Sequence, residues 1–347
     1  MLPDNARELK ARLSRRLRGG PGASALGATV RWSGVALGLT PVGSDQVHLA
    51  IRLVDRADAD VVLTGIGDAA RQEVDVRVIG PVRLLSSPAG WSPGDLQRRV
   101  RPLRPGLSIG HPDVTAGTLG GFVRRPGAEG LLVLSNDHVL ANSDAATVGD
   151  VALQPGVADG GTAADRIGAL AAFHRLGADR GNLVDAAVAA LNDGVEADPT
   201  AYPGGPLAAA VAAVDEVDPD QLVEKVGRTT GHTRGRITAV EVDGVGVQYD
   251  DGTRTFDDQL EIEGLAGAFS AGGDSGSVIW RSTDRAPLGL LFAGSTEGGR
   301  AGGGVTFANP LATVLRTLGV EWLNGLLPPH PSGAEDGPLA ERRRSGA

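Results

Sequence analysis

Short apolar segments separated by glycine-rich turns dominate the sequence from residue 107 onward. They include GTLGGFV, GLLVLSNDHV, DAAVAAL, VEKVGRTTG, GRITAVEV, GVGVQYD, GSVIW, LGLLFAGS and GGVTFANP. Many brief strands at close intervals indicate an all-β barrel or sandwich. The chain also has 52 glycines and few aromatic residues, which favours short turns and a β-rich fold over a helical bundle. We therefore expect a mainly β protein.

The sequence divides into five predicted regions. These are a basic helix over 1–20, a small α+β module over 22–85, a connector over 86–106, a β domain over 107–325 and a disordered tail over 326–347. Leu9, Leu13 and Leu17 recur at fourfold spacing among arginines, which indicates an amphipathic first helix. Solvent exposure is its default interpretation, and docking on the body or on a partner is the alternative. A second helix is predicted late in the β domain, over 309–323.

A glycine pair in the α+β module resembles a nucleotide-binding turn. Gly65, Gly67 and Ala70 have the G-x-G-x-x-A spacing and follow the apolar VVLT. A parallel crossover needs about a dozen residues or more, but only DAARQE separates the glycines from the next apolar run. We therefore interpret this segment as a turn.

Charge and composition exclude several classes of protein. The net charge of −9 argues against a general nucleic-acid binder, which needs a cationic face. The absence of cysteine excludes disulfides, thiolate metal sites and a cysteine nucleophile. No apolar run reaches the roughly 18 residues of a membrane span, and the charged first 20 residues lack the apolar core of a secretory signal. We expect a cytoplasmic protein with no membrane partner, and a homo-oligomer is left open.

Four aspartates lie close together in the β domain. They are Asp250, Asp251, Asp257 and Asp258. Calcium could bind such a cluster, but its spacing is not that of an EF-hand loop. We predict no metal and no cofactor.

One serine has the surroundings of a nucleophile. Ser275 lies in AGGDSGSVIW, where glycines leave the main chain open on both sides. Gly273 has no side chain to obstruct its amide, so the amides of Gly273 and Ser275 could form an oxyanion hole. A plain glycine-rich hairpin is the simpler interpretation. The G-x-S-x-G hydrolase elbow does not fit, because Ser277 occupies the last glycine position.

The chain also supplies a candidate base and a candidate acid. His138 lies at the end of the apolar run LLVLS, where a strand would present it to a cleft, although a structural role is the more common one for a single histidine. Asp185 lies among apolar residues in NLVDAAVAAL. Burying a carboxylate is costly unless something pairs with it, so this position predicts a partner.

The three residues occur in the order His138, Asp185, Ser275, which is the chymotrypsin order and not the subtilisin or α/β-hydrolase order. LSNDHVL, VDAAVA and GGDSGSVIW resemble the three catalytic motifs of the trypsin-like serine peptidases. RPGLSIGHPDVTAGTLGGFV, LQPGVADGG, VGRTTGHTRGRI and LLFAGS are similar to the bacterial branch related to the plant narrow-leaf proteins. The resemblance covers about residues 102–320 and extends to the module that precedes them.

This resemblance implies two six-stranded β barrels with the active site in the cleft between them. It implies that His138 is the general base, Asp185 its orienting acid and Ser275 the nucleophile of a peptidase that acts through an acyl-enzyme. Asp137 stands where secreted relatives usually have alanine, and no IVGG-like activation sequence is visible. The ion pair that secreted zymogens form between a freed N-terminus and the acid before the serine therefore cannot be assigned to Asp274.

The resemblance also implies positions that contact the substrate. Phe269 would lie at the floor of the primary pocket, and because it is not an acid it argues against a preference for arginine or lysine. Phe292, Ala293 and Gly294, followed by Ser295, would pair with an extended peptide by β-augmentation. With Gly304 near the far wall, the pattern favours small or apolar side chains.

Two other functions remain open at this point. One is a binding or scaffolding protein on a protease fold, with little or no turnover, which the additional N-terminal module and the missing activation sequence favour. The other is an esterase that uses the same site. The expected partner of the leading function is a protein or peptide substrate.

Overall fold

The structure is a computed structural model. It describes residues 1–17, 34–43, 45–64, 66, 68–84, 94–177, 181–299 and 302–324. The predicted tail over 326–347 and the first part of the connector lie outside the described residues.

Four α-helices and twenty strands are found in the described part of the chain. The helices are α1 (Pro3–Leu17), α2 (Ala59–Thr64), α3 (Asp137–Leu140) and α4 (Leu311–Leu318). The first strands are β1 (Val35–Gly43), β2 (Gln46–Leu53), β3 (Val74–Val78), β4 (Val82–Leu84), β5 (Ser108–Ile109), β6 (Gly117–Thr118), β7 (Gly121–Arg124), β8 (Leu132–Ser135), β9 (Val151–Leu153) and β10 (Arg166–Phe173). The others are β11 (Ala187–Leu191), β12 (Leu222–Gly227), β13 (Gly231–Asp243), β14 (Val245–Tyr249), β15 (Gly252–Phe256), β16 (Gln259–Gly264), β17 (Val278–Arg281), β18 (Pro287–Ser295), β19 (Val305–Pro310) and β20 (Glu321–Leu323).

Two six-stranded units form the β domain. In the first, the strand order is β20-β7-β8-β11-β10-β9. In the second, β12, β13, β16, β19, β18 and β17 pair in succession, all antiparallel, and β17 pairs back with β12. The second unit is thus a closed barrel. The predicted mainly β fold is confirmed, and of the two predicted six-stranded barrels the second is closed, whereas the first is a six-stranded sheet in the described residues.

Apolar side chains fill each unit and the space between the two. Ile109, Phe122 and Ile167 belong to the core of the first unit, whereas Val223 and Ile262 belong to that of the second. A third cluster joins the units and includes residues of β8, β17, β18 and α4. The two units therefore share a continuous apolar contact, which fixes the position of one relative to the other.

The predicted late helix is shorter than expected. Gly319 ends α4 in the left-handed conformation with φ 64°, and its amide bonds to the carbonyls of Leu315 and Arg316. This arrangement is a common helix C-terminus, since glycine adopts positive φ without a steric penalty. The chain then enters β20, which pairs with β7 of the first unit.

The N-terminal helix is docked on the body. Ala6, Leu9 and Leu13 are buried, and Leu9 and Leu13 pack in one cluster with Leu37 and Leu49 of the first two strands. The default interpretation of a solvated helix is therefore wrong, because the leucines at fourfold spacing cover a sheet that would otherwise expose apolar residues.

The N-terminal strands extend the sheet of the second barrel. β1 pairs antiparallel with β13 and with β2, and β4 lies between β14 and β18. The predicted module over 22–85 is therefore hydrogen-bonded to the β domain at two places. The predicted domain boundaries themselves stay predictions.

The interpretation of residues 65–70 as a simple turn is wrong. β2 and β3 are parallel, with Leu49 opposite Val74 and Leu53 opposite Val78. The connection runs from the end of β2 to the start of β3 and holds α2 and two 3₁₀ helices, Arg56–Asp58 and Asp68–Glu73. It is long enough for a parallel crossover because it begins well before the glycines. Gly65 and Gly67 themselves lie outside the described residues.

No helix in the described ranges is long and apolar enough to cross a membrane.

Candidate active site

The ends of two paired strands bring His138 and Asp185 together. β8 and β11 are antiparallel, with Ser135 opposite Ala187. The chain leaves β8 into the single-turn helix α3, which carries His138, and Asp185 lies two residues before the start of β11. The side-chain amide of Asn136 donates to the Asp185 carbonyl at 2.6 Å and holds the two segments together.

His138 and Asp185 form a short, buried polar pair. His138 Nδ1 lies 2.7 Å from Asp185 Oδ2, and the His138 main-chain amide donates to Oδ1 at 3.3 Å. The Asp185 side chain is fully buried, and that of His138 is 10% exposed. The apolar residues around Asp185 in the sequence predicted a partner, and the structure shows that this partner is His138.

Tyr249 is a second donor to the same carboxylate. Its hydroxyl donates to Asp185 Oδ2 at 2.6 Å. Burial raises the pKa of Tyr249 well above its ordinary value, so the phenol keeps its proton and acts as a donor. Tyr249 ends β14, which pairs with β15 between β13 and β16 of the second unit, so a hairpin that leaves the second barrel contributes a donor to Asp185.

The charge of His138 and the hydrogen bonds from His138 and Tyr249 determine the charge of Asp185. Burial alone would raise its pKa, but the positive charge and hydrogen bond of His138, together with the hydrogen bond from Tyr249, lower the pKa below its usual value. The carboxylate is therefore ionised and can only accept hydrogen bonds. A neutral His138 must then carry its proton on Nδ1, which leaves Nε2 as an acceptor.

Asp137, next to His138, is in the opposite protonation state. Its side chain is buried, its Oδ2 accepts from the Asp144 amide at 3.1 Å, and its Oδ1 has no hydrogen-bond partner within the described chain. Burial and the nearby negative charge of Asp185 raise the pKa of Asp137 to about 9. Of these two carboxyl groups, Asp137 is therefore protonated and neutral, whereas Asp185 is ionised.

The serine loop, residues 271–276, lies in the connection between β16 and β17 and carries Ser275. Gly273 and Gly276 adopt positive φ of 91° and 95°. A Cβ at Gly276 would lie 2.2 Å from Ser135 Oγ and 2.3 Å from the Thr118 carbonyl oxygen. Only glycine fits there, and this close contact places the serine loop against the strand that leads to His138.

The main chain at Ser275 lies near the residue that follows His138, but no hydrogen bond joins Ser275 to His138 in the described residues. Gly117 lies between Val139, the residue after His138, and the main chain of Ser275. A Cβ at Gly117 would lie 2.3 Å from Val139 Cγ2 and 3.0 Å from the Ser275 carbonyl oxygen. The Ser275 hydroxyl donates to the Phe292 carbonyl at 3.3 Å, and the described structure shows no hydrogen bond from it to His138. Ser275 is also only 1% exposed. The described structure therefore pairs His138 with Asp185, and the meeting of all three predicted residues stays a prediction.

Two amides of the serine loop are available for an oxyanion. The amides of Gly273 and Ser275 donate to no acceptor in the described part of the chain, whereas those of Asp274, Gly276 and Ser277 are all bonded to main-chain carbonyls. Thr118 Oγ1 fixes Gly273 by donating to its carbonyl at 2.8 Å. Free main-chain amides next to a nucleophile suit the stabilisation of a developing oxyanion.

Asp274 holds the serine loop from within the barrel. Its Oδ2 lies 3.1 Å from Lys225 Nζ, and both side chains are fully buried. Oδ1 accepts from the amides of Thr229 and Thr230, and Oδ2 accepts from the Ala271 amide and the Thr230 hydroxyl. The partner that the sequence left open for Asp274 is thus Lys225 of β12.

The residues predicted to contact the substrate are engaged in contacts within the protein. Phe269 is 2% exposed and packs in the core of the second barrel, with Lys225 Nζ 5.8 Å from its ring centre. Phe292 packs on Phe256, with ring centres 4.6 Å apart. Ala293 and Gly294 pair with β4. The predicted specificity of the primary pocket stays a prediction.

Gly304, predicted near the far wall, has φ 77° and donates its amide to the Gly298 carbonyl at 3.2 Å. A Cβ there would lie 1.9 Å from the Ser295 carbonyl oxygen, so this turn needs glycine whatever contacts the substrate.

No group of three or more side chains of the types that bind metals lies together in the described residues.

Sequence reasoning missed Lys225, Tyr249 and the role of Asp137. Lys225 is one of only two lysines and lies in the segment VEKVG, and Tyr249 is one of only two tyrosines. A charged residue in a strand flanked by valines needs a counter-charge if it is buried, so Lys225 carried a usable signal, although the adjacent Glu224 leaves its partner open. Nothing in the sequence connects Tyr249 with Asp185, because the contact depends on where the hairpin folds.

A scan against protein-family models found no match, and a comparison with curated proteins found no similar protein. Among solved structures, protease A of Thermobifida fusca has a TM-score of 0.44 and 18% identity, with 64% of this chain and 99% of that chain covered. A glutamic acid-specific serine protease has a TM-score of 0.44 and 22% identity, covering 64% and 100%. A chymotrypsin of Cellulomonas bogoriensis has a TM-score of 0.43 and 21% identity, covering 64% and 98%. The described chain is thus similar in fold to structures of serine proteases.

Proposed function

We propose that the protein is a trypsin-like serine endopeptidase that cleaves peptide bonds through an acyl-enzyme. His138 acts as the general base, Asp185 orients it, and Ser275 is the nucleophile. The observation that carries this proposal is the buried 2.7 Å pair of His138 and Asp185, and the glycine-flanked Ser275 lies on a loop that packs against the strand leading to His138. The substrate is a protein or peptide.

The chemistry follows from the protonation states. The Ser275 oxygen attacks the scissile carbonyl carbon while its proton passes to His138 Nε2, and the carbonyl oxygen becomes an oxyanion near the amides of Gly273 and Ser275. Collapse breaks the C–N bond, and the proton moves from His138 to the leaving amine. A water molecule then repeats the sequence on the acyl-enzyme and releases the acid. Asp185 stays ionised and stabilises the imidazolium in both halves.

In the structure, the Ser275 side chain is oriented toward the Phe292 carbonyl and has to rotate before it can react. Its hydroxyl must leave the Phe292 carbonyl before its proton can reach His138, and a neutral hydrogen bond of this kind contributes only about 1 kcal/mol. Catalytic hydrogen bonds often form only in the complex with substrate. Rotation of the serine side chain is therefore a small step that a bound substrate can drive.

Covalent labelling tests the nucleophile directly. A fluorophosphonate probe should label the wild-type protein at Ser275, located by peptide mass spectrometry, and should not label Ser275→Ala. Ser282→Ala is the matched control, because Ser282 follows the far end of β17, and it should be labelled like the wild type. His138→Ala should lower the labelling rate at least a hundredfold. A folded wild-type protein that takes up no probe contradicts the proposal.

Cleavage-site profiling tests the substrate class. New N-termini should appear in a peptide library or proteome treated with the wild type, and should be absent after treatment with Ser275→Ala. We expect small or apolar residues before the cleaved bond, as the predicted pocket implies. Cleavage mainly after arginine or lysine would contradict that specificity and leave the peptidase assignment intact.

One observation favours a second candidate, a binding or scaffolding protein on a protease fold. Ser275 is 1% exposed, and its hydroxyl is bonded to Phe292 and not to His138. Such a protein would bind its natural partner equally well after Ser275→Ala and would turn over neither esters nor peptides. An enzyme with the proposed function loses its turnover in the same variant.

A further inference from the structure

The edge of β18 next to Ser275 is divided between two strands. β19 covers the opposite edge of β18 along most of its length. On the edge that faces Ser275, β17 pairs with the first half, where Val278 is opposite Leu290. β4 pairs with the second half of the same edge, where Leu84 is opposite Ala293 and Arg83 is opposite Gly294.

Ser275 lies at the junction between these two neighbours. The Gly276 amide donates to the Leu291 carbonyl, and the Ser275 hydroxyl donates to the Phe292 carbonyl. β17 therefore ends its pairing just before Phe292, and β4 begins just after it. A peptide held on β18 next to Ser275 has only the positions at Ala293 and Gly294 to pair with.

β4 also has the direction of a peptide that approaches the nucleophile. It is antiparallel to β18 and runs from Gly294 toward Phe292 as its own residue numbers increase. An extended substrate that adds its main chain to a sheet edge makes the same pairings. The sequence resemblance implies that an extended substrate pairs with Phe292, Ala293 and Gly294, and β4 covers the last two of these residues.

We propose that β4 is an internal occupant of the peptide-binding edge and that an extended substrate binds only after β4 leaves β18. This inference rests on the proposed peptidase function and concerns the regulation of the same site. Small acyl compounds that need no main-chain pairing reach Ser275 with far less dependence on β4.

The size of β4 makes the exchange reasonable. The strand has three residues and two registered pairs with each neighbour, those with β14 involving Val247 and Gln248. Val82 is 4% exposed and packs near Phe292 in the same apolar cluster. The Ser295 hydroxyl donates to the Ile79 carbonyl just before β4. A peptide supplies the same main-chain groups that β4 gives up, so the exchange loses few hydrogen bonds overall.

A proline at position 83 tests the inference. Proline lacks the N–H that pairs in a central strand and is disfavoured there, whereas Arg83→Ala keeps the main chain and serves as the matched control. We measure kcat/KM for a fluorogenic tetrapeptide amide and for p-nitrophenyl acetate. Arg83→Pro should raise the peptide value at least tenfold and the ester value less than twofold. Circular dichroism verifies that both variants are folded. If the ratio of the peptide kcat/KM to the ester kcat/KM is then the same in Arg83→Pro and Arg83→Ala, the inference is wrong.

A reversible lock gives the opposite test without a strained residue. Val82 is opposite Val247 in the β4–β14 pair, and the chain has no cysteine, so Val82→Cys with Val247→Cys can form only one disulfide within the chain. The oxidised form should hydrolyse the tetrapeptide at least tenfold more slowly than the reduced form, with unchanged ester hydrolysis. The single-cysteine variants should not respond to oxidant.

The two proposals fail in different ways. Absence of fluorophosphonate labelling and of ester turnover in every form overturns the proposed function, and the inference falls with it. If the protein is labelled normally but neither Arg83→Pro nor the disulfide changes peptide turnover, the inference about β4 is wrong and the proposed function stands. A peptide rate that rises on release of β4 also distinguishes a restrained peptidase from an esterase.

Discussion

Lys225 Nζ lies 3.1 Å from Asp274 Oδ2, and neither side chain is exposed. This pair links β12 to the residue immediately before Ser275. The main-chain geometry of the serine loop, including the two free amides, is thus supported from inside the second barrel. No freed chain terminus is needed to fill this role.

Removing Lys225 should disorder the serine loop. Lys225→Met leaves the buried Asp274 carboxylate without a cation, which typically costs about 3–5 kcal/mol when one partner of a buried pair is lost. We expect this loss in the free energy of unfolding measured by urea denaturation. Fluorophosphonate labelling of Ser275 should slow at least tenfold under conditions where the variant is still folded.

The double variant Lys225→Met with Asp274→Asn is the control for the ion pair. It removes both charges, so it should recover at least half of the lost stability. The loop should regain only part of its labelling rate, because an amide cannot accept all the hydrogen bonds that Asp274 accepts. Unchanged stability in Lys225→Met alone would show that the pair does not hold the loop.

The hydroxyl of Tyr249 should support catalysis through Asp185. Tyr249→Phe removes a 2.6 Å hydrogen bond to Oδ2 and keeps the ring that packs near Phe256. A hydrogen bond to a charged group contributes about 1.5–3 kcal/mol, so kcat/KM should fall roughly 10- to 100-fold. Since the hydroxyl helps to lower the pKa of Asp185, its removal raises that pKa, and the acid limb of the pH profile should move to higher pH.

Tyr202→Phe provides the comparison for Tyr249→Phe. The Tyr202 hydroxyl donates to the Gly120 carbonyl at 2.8 Å and has no contact with Asp185. This variant should lose some stability and keep the acid limb of the wild type. If both variants show the same pH profile, Tyr249 acts only as a structural residue.

Asp137 should make stability depend on pH. Its pKa is raised from 3.8 to about 9 in the folded chain, so between those values the folded state holds a proton that the unfolded state has lost. Stability must then fall as pH rises, by up to about 1.4 kcal/mol per pH unit. Asp137→Asn has no such proton, so its stability relative to the wild type should increase steadily from pH 5 to pH 8. Urea denaturation at unit pH intervals measures this, and parallel pH profiles would contradict it.

The pairing of His138 with Asp185 could be predicted from the sequence because each residue has a local signal. His138 follows an apolar strand, and Asp185 is a carboxylate among apolar residues that needs a partner. The strand ends that hold them are adjacent in an antiparallel pair, so local pattern and three-dimensional position coincide. The sequence gives no such signal for the orientation of the Ser275 side chain, because that orientation depends on one side-chain rotation.

The N-terminal strands could not be placed from the sequence. Their alternation predicted strands but did not show that β1 would pair with β13, more than 180 residues later in the chain. The parallel pairing of β2 and β3 was missed because the crossover was measured from the glycines and not from Leu53 to Val74. Strand pairing over long sequence distances depends on the whole packing, which no local pattern encodes.

A buried charge pair should couple the N-terminal strands to the second barrel. Arg52 of β2 donates from Nε and Nη2 to Glu261 of β16 at 2.6 and 2.9 Å, and both side chains are fully buried. Arg52→Met leaves Glu261 without this partner and should lower the free energy of unfolding by about 3–5 kcal/mol. Arg124→Met, which breaks an exposed ion pair with Glu321, should change it by less than about 1 kcal/mol. Urea denaturation of the full chain decides between these outcomes. Equal midpoints for the two variants would mean that the N-terminal strands contribute little to the stability of the barrel, whereas a large loss in Arg52→Met alone would show that they are part of its fold.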